Sequence, residues 1–178
     1  MMPQAGTIRA FVMAIAALGV LFDRVNAQVQ HEHSSSKVTT TRDVDSLLSR
    51  VKSAVVAYQV LDTAVAAGYA ANVKQCIDNL PHGAMGYHHV NRALLDDRIE
   101  LERPEMLVYA YDAAGRYKLN GVEYIVPYSA RGPDAEPPTV MGQALKRADG
   151  LQLWYLHVWL WEPNPNGVFA DWNPAVSC

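Results

Sequence analysis

The stretch Leu151-Gln152-Leu153-Trp154-Tyr155-Leu156-His157-Val158-Trp159-Leu160-Trp161 decides how this chain reads. Its aromatic and aliphatic run, opened by the turn signal Asp149-Gly150, predicts a strand. Alternation along it places Leu153, Tyr155, His157, Trp159 and Trp161 on one face. One imidazole stands in this run. A buried polar ring without a partner costs about 1–3 kcal/mol, so something must hold His157.

Working back from that strand, Met106–Tyr111 and Tyr117–Pro127 are rich in β-branched and aromatic residues and flank the loop Asp112-Ala113-Ala114-Gly115, which predicts a hairpin. Simple alternation in its second arm gives Tyr117, Leu119, Gly121, Glu123 and Ile125 a common face and sets a carboxylate among packed side chains. Upstream, Val44, Leu47, Leu48, Val51, Val55 and Tyr58 recur at helical spacing, and Leu61, Ala64 and Val65 continue that face. With Asp43 placed to cap and Gly68 just past the end, this predicts one helix, or two in series, over Asp43–Ala67. Between helix and hairpin, Pro81, Gly83 and Gly86 break any long element, so His82–His89 is expected on a loop, with a short helix over Asn91–Asp97. Ser129–Pro138 reads as a Pro/Gly loop, and the tail after Glu162, with Pro163, Pro165, Gly167 and Pro174, as turns. The fold class that follows is α+β: an N-terminal helical segment packed on a small antiparallel β-sheet, with an irregular C-terminal tail tied back by a disulfide.

The first residues read as a targeting segment. Arg9 precedes the apolar run Ala10–Phe22, thirteen residues long, and Val25-Asn26-Ala27 offers a cleavage site. A run of that length falls short of the roughly 20 apolar residues that span a bilayer. The expected organisation is a signal peptide over 1–27, a flexible polar linker over 28–42 and a single α+β domain over 43–178, secreted or periplasmic, with no stable membrane insertion after cleavage. The remainder carries thirteen basic and seventeen acidic residues, a net charge of −4 with histidine neutral. That balance offers no basic footprint for nucleic acid. Cys76 and Cys178, the only cysteines, are expected to bridge in an oxidising compartment, which argues against Cys76 as a nucleophile beside His82.

The chemistry converges on histidines and one glutamate. His82, His88 and His89 cluster with Met85, and a buried imidazole or carboxylate pairs, accepts hydrogen bonds or binds a metal. Two imidazoles and a carboxylate suit non-haem iron or catalytic zinc, and a thioether nearby would suit copper. The proposed ligands are His88, Glu123 and His157, with His82 or His89 as a fourth, for zinc, copper or iron, in a metal-binding protein or a metalloenzyme. A structural hydrogen bond or acid/base pair between Glu123 and His157 is the plainer alternative. In that case the partner would be a small molecule in an aromatic pocket drawn from Tyr87, Tyr155, Trp159 and Trp161. Trp154 falls on the face opposite Trp159 and Trp161. His31-Glu32-His33, in the polar lead-in, reads as solvated histidines. No His-Glu-x-x-His, Gly-x-Ser-x-Gly elbow, P-loop or dinucleotide fingerprint is present, and no catalytic residue is assigned.

The motifs Gly86-Tyr87-His88, Val122-Glu123-Tyr124, Leu156-His157-x-Trp159-Leu160-Trp161-x-x-Asn164-Pro165-x-Gly167-x-Phe169 and Asn173-Pro174-x-Val176-x-Cys178 resemble those of a group of small exported bacterial proteins of unassigned function. The resemblance spans Leu61–Cys178. It implies a single compact exported domain and draws attention to Tyr87, His88, Glu123 and His157, and it carries no activity.

Overall fold

The computed structural model describes residues 40–71 and 76–178. The expected leader, most of the polar linker and His31-Glu32-His33 lie outside those residues. The chain opens with α1 (Thr41–Val55), a 3₁₀ turn (Val56–Gln59) and α2 (Leu61–Ala66). The helix starts two residues before the expected Asp43. Thr40 is the N-cap, and Asp43 serves as the third helical residue of a reciprocal capping box, its backbone N donating to Thr40 Oγ1 at 3.3 Å while the Thr40 N donates back to Asp43 Oδ2 at 3.0 Å. No described helix is long and apolar enough to cross a membrane.

The strands are β1 (Ala70–Ala71), β2 (Ile77–Asp78), β3 (Ala84–Val90), β4 (Met106–Tyr111), β5 (Tyr117–Pro127), β6 (Thr139–Val140), β7 (Gln143–Ala144), β8 (Lys146–Ala148) and β9 (Leu153–Trp159). The main sheet is antiparallel in the order β1-β3-β4-β5-β9-β8, with β2 also paired to β3 and β6-β7 a separate ribbon. His82–His89 is therefore a loop only as far as Gly83, after which it becomes β3. What the glycines mark there is a bulge: β2 and β3 slip register between Ile77 and Asp78, and Gly86 takes φ +115°, where a Cβ would lie 2.4 Å from the Tyr109 carbonyl oxygen. The short helix expected over Asn91–Asp97 reduces to a 3₁₀ turn at Arg92–Leu94, capped by Asn91.

A second bulge sets the two faces of β5. Val108 pairs with Gly121 but Tyr109 with Leu119, so Asn120 is the extra residue. Its carbonyl accepts from both Leu160 N and Trp161 N, at 2.9 and 3.0 Å. Because the side-chain period in a strand is 2, one extra residue flips the facing of everything beyond it. Tyr117 and Leu119 therefore pack on the helix side, while Gly121, Glu123 and Ile125 face the other way, correcting the single face that simple alternation gave. Trp161, beyond the end of β9, is likewise on the helix side, with Lys52 Nζ 5.4 Å from its ring centre.

The principal core joins Val51, Val55 and Ala64 of the helices to Leu107, Tyr109, Leu119, Val122, Tyr124, Val126, Trp154, Leu156 and Val158. Three tyrosine hydroxyls in this layer donate to backbone carbonyls, Tyr69 to Pro104, Tyr109 to Tyr58 and Tyr124 to Leu101, which satisfies the only polar atom each ring buries. The opposite face is covered by the tail. Trp159 N donates to Val168 O, Ala84 and Asn173 exchange two backbone bonds, and Cys76–Cys178 closes the arrangement with Cα atoms 5.5 Å apart. Ala84, Ala110, Trp159 and Val176 form a small second core beneath it.

Glu105, 2% exposed, closes the end of β4 by accepting from Ile125 N at 2.9 Å. Burial pushes its carboxyl up to about 8, against the pull of that same backbone donor.

Two outcomes follow from this architecture. The bridge spans 102 residues, for which loop-closure entropy gives on the order of 4–5 kcal/mol at most, so Cys178→Ser is expected to lower unfolding stability in urea by about 2–5 kcal/mol. Glu105 holds its proton more tightly folded than unfolded, so its stabilising contribution is complete below about pH 4.5 and is lost as pH rises through about 8. Glu105→Gln keeps the acceptor and cannot ionise. Its stability relative to the natural chain should rise by on the order of 2–4 kcal/mol between pH 5 and 8.5, and a difference that stays flat across that window would count against this assignment.

Candidate metal centre

The tail-covered face of the sheet carries the polar residues that the sequence singled out. Glu123 and His157 are direct cross-strand partners on β5 and β9, and Met106 of β4 is the next member of that row. His88 belongs to the adjacent row, which runs through Val108 and Gly121 to Trp159. Gly121 has no side chain to place between Val108 and Trp159, and it must lack one, since a Cβ there would meet the Val158 carbonyl oxygen at 2.4 Å. The two rows thus bring His88, Glu123 and His157 together from three strands.

The three groups form one buried cluster. His88 is 3%, Glu123 6% and His157 0% exposed. Each offers one ligand atom, and these atoms all lie within 4.8 Å of one another, with His88 Nε2 at 3.7 Å from Glu123 Oε2. Among the described residues neither ring nitrogen of His157 has a hydrogen-bond partner, whereas the Gly86 backbone lies close enough to the His88 ring to pull its pKa up against burial. The plain Glu123–His157 hydrogen bond is thus not formed. Leaving both ring nitrogens of one buried imidazole orphaned costs about 1–3 kcal/mol each, which native interiors rarely carry without a reason.

Desolvation sets the charge state. Burial holds His88 down at about 4, and holds His157 well below the ordinary imidazole range, with His88 and Lys146 pressing in the same direction. Burial raises Glu123 to about 8; Asp171 adds to the rise and Lys146 opposes it. At neutral pH both imidazoles are therefore uncharged, with lone pairs free, the form in which histidine binds metals. Two neutral imidazoles, with Glu123 once an ion has displaced its proton, are a donor set for borderline divalent ions.

The remaining candidates lie elsewhere. His89, one residue from His88, points to the helix side, where its Nε2 is 3.0 Å from the Tyr117 hydroxyl and its ring packs on Tyr109. His82 is exposed in the turn between β2 and β3. Of the four aromatic residues, Trp159 and Tyr155 share the face of the trio. The Trp159 ring centre is 4.4 Å from that of His157, and its indole Nε1 donates to the Ala170 carbonyl at 2.7 Å. Tyr87 stacks edge-on with Tyr111 and Tyr117 on the opposite side. A cleft of about 590 Å³ lined by Trp161, Tyr111, Lys118 and Glu162 takes in one of the four and none of the trio.

Sequence reasoning did not single out Lys146 and Asp171. Lys146 pairs with Tyr155 across β8 and β9, and its ammonium donates to Asp171, which also accepts from the Tyr155 hydroxyl. Their signal was weak, a lone lysine in a three-residue strand and an aspartate in a tail of turns. Met106 was hidden by the bulge, which alone brings it opposite Glu123. Comparison of the chain with family models, curated proteins and solved structures finds no match.

Proposed function

We propose that this chain is an exported protein that binds one transition metal ion through His88 Nε2, Glu123 and His157. The observation that carries the reading is His157, wholly buried with both ring nitrogens unpartnered beside a carboxylate and a second imidazole. A metal would take one lone pair from each imidazole, giving His157 a partner at one of its two ring nitrogens, and would turn part of the energetic cost of a dry polar cluster into ligation. Ligand bonds of about 2.0–2.2 Å at tetrahedral angles put donor atoms about 3.3–3.6 Å apart, so from a span of up to 4.8 Å the trio has to draw in by at most about 1.5 Å. Two imidazoles and a carboxylate match zinc and iron(II); imidazole also serves copper. The disulfide fits an oxidising compartment outside the cytoplasm, in keeping with the leader read in the sequence.

Elemental analysis of untagged protein, loaded with zinc and freed of excess, is expected to give one ion per chain. At free metal about a hundredfold above Kd, the folded state should gain about 2.7 kcal/mol, a gain that EDTA reverses. His157→Ala and Glu123→Gln should each abolish stoichiometric uptake. The reading falls if the natural chain retains no metal, or if His157→Ala retains as much as the natural chain does.

A further inference from the structure

Consecutive tail residues are anchored on either side of His157. Trp159 and Tyr155 flank it on the same face of β9. The first holds the Ala170 carbonyl through its indole, and the second donates its hydroxyl to Asp171 Oδ2 at 3.2 Å. The chain at Ala170–Asp171 is therefore held on the side of β9 that carries His157. Lys146 fixes it there, donating to the Phe169 carbonyl at 3.1 Å and to Asp171 Oδ1 while lying 5.8 Å from the Tyr155 ring centre.

We propose that Asp171 is the fourth ligand of the metal ion, leaving Lys146 for the ion when the site fills. The proposal rests on the reading of the trio as a metal site. Its physical ground is charge. A divalent ion held by Glu123 and two neutral imidazoles leaves one surplus positive charge in the interior, next to a residue with no solvent exposure, and an uncompensated buried charge is strongly disfavoured. If Asp171 moves to the ion, the ligand set becomes neutral and the surplus passes to Lys146. That side chain is 38% exposed and can hydrate its ammonium. Two imidazoles and two carboxylates also complete the four donors of a closed site. Neither His82, exposed in its turn, nor His89, on the other face of the sheet, is placed to be that fourth donor. Asp171 is on the right face and the chain beside it is held by Lys146 and Trp159, but its carboxylate stands outside the group whose ligand atoms lie within 4.8 Å of one another and has to move in to join them.

The test is titration of the full disulfide-bonded chain with cobalt(II), followed by visible ligand-field absorption and by competition with a chelator. Folding of each variant is checked by circular dichroism. The natural chain is expected to bind one cobalt with the intense bands of a four-coordinate site. Asp171→Asn should weaken binding by at least about 10-fold and alter the bands, since the donor set itself changes. Lys146→Met, which removes the competing partner of Asp171, should tighten binding several-fold. If Asp171 only anchors the tail through Lys146, both variants weaken binding with the bands unchanged, and the proposal is overturned. Cobalt binding by Asp171→Asn that equals the natural chain in affinity and spectrum assigns the fourth position to solvent and also overturns it. If neither the natural chain nor His157→Ala takes up cobalt, the metal reading of the trio fails and this proposal falls with it.

Discussion

The pairing of β5 with β9 is the constraint on which the rest of the structure depends. Its register runs unbroken from Gly121↔Trp159 to Pro127↔Leu153. One side of this ladder buries Val122, Tyr124, Val126, Trp154, Leu156 and Val158 against the helices. The other side presents Glu123, His157 and Trp159 to the tail. Because both sides are covered, a slip of one residue would drive a carboxylate and an imidazole into the apolar layer and expel valines and leucines from it. The bulge at Asn120 sits at the end of this ladder and fixes where the register begins. Its carbonyl holds Leu160 and Trp161 as they leave the strand, so the turn-out of the tail and the facing of Glu123 are set by the same residue.

The strands were legible in the sequence wherever apolar runs ended at turn residues. The hairpin about Asp112-Gly115 and the strand that holds His157 lie where alternation and turn chemistry put them, and the helices follow their 3.6-residue spacing. The disulfide was legible from compartment and count. The trio itself could be named because an acidic side chain and an imidazole stood out against apolar neighbours. The facing of Tyr117 and Leu119 was not legible, because a bulge leaves hydrophobic periodicity looking continuous on each side of it; Asn120-Gly121 is its one local sign. His88 could not be separated from His89 until β3 was seen as a strand, since only a strand sends neighbours to opposite faces. Tail residues such as Asp171 carry no periodicity at all, and their placement comes from tertiary contacts with Trp159 and Tyr155.

The chemistry of the trio is dominated by dehydration. Three groups that water would otherwise serve are kept dry by the sheet beneath and the tail above, and each is driven toward its uncharged form. At His157 no described residue relieves this with a hydrogen bond. The surrounding residues supply aromatic area instead, with Trp159 against His157 and Tyr155 alongside. A site that spends stability in this manner is organised for something that arrives from outside the chain, in keeping with the rule that local violations of good packing gather where a protein acts.

The tail has a consequence in time as well as in space. His88, Glu123 and His157 all precede Ala170, Asp171 and Cys178 in the chain. A polypeptide that emerges from its N-terminal end therefore assembles the donors on the sheet before the segment that roofs them exists. Until the tail has been laid down the donors face open solvent, and in the folded chain they lie beneath it. The bond between Cys76 and Cys178 is the last contact the chain can make, and it links the segment that leads into the first donor strand to the end of the tail that covers the donors.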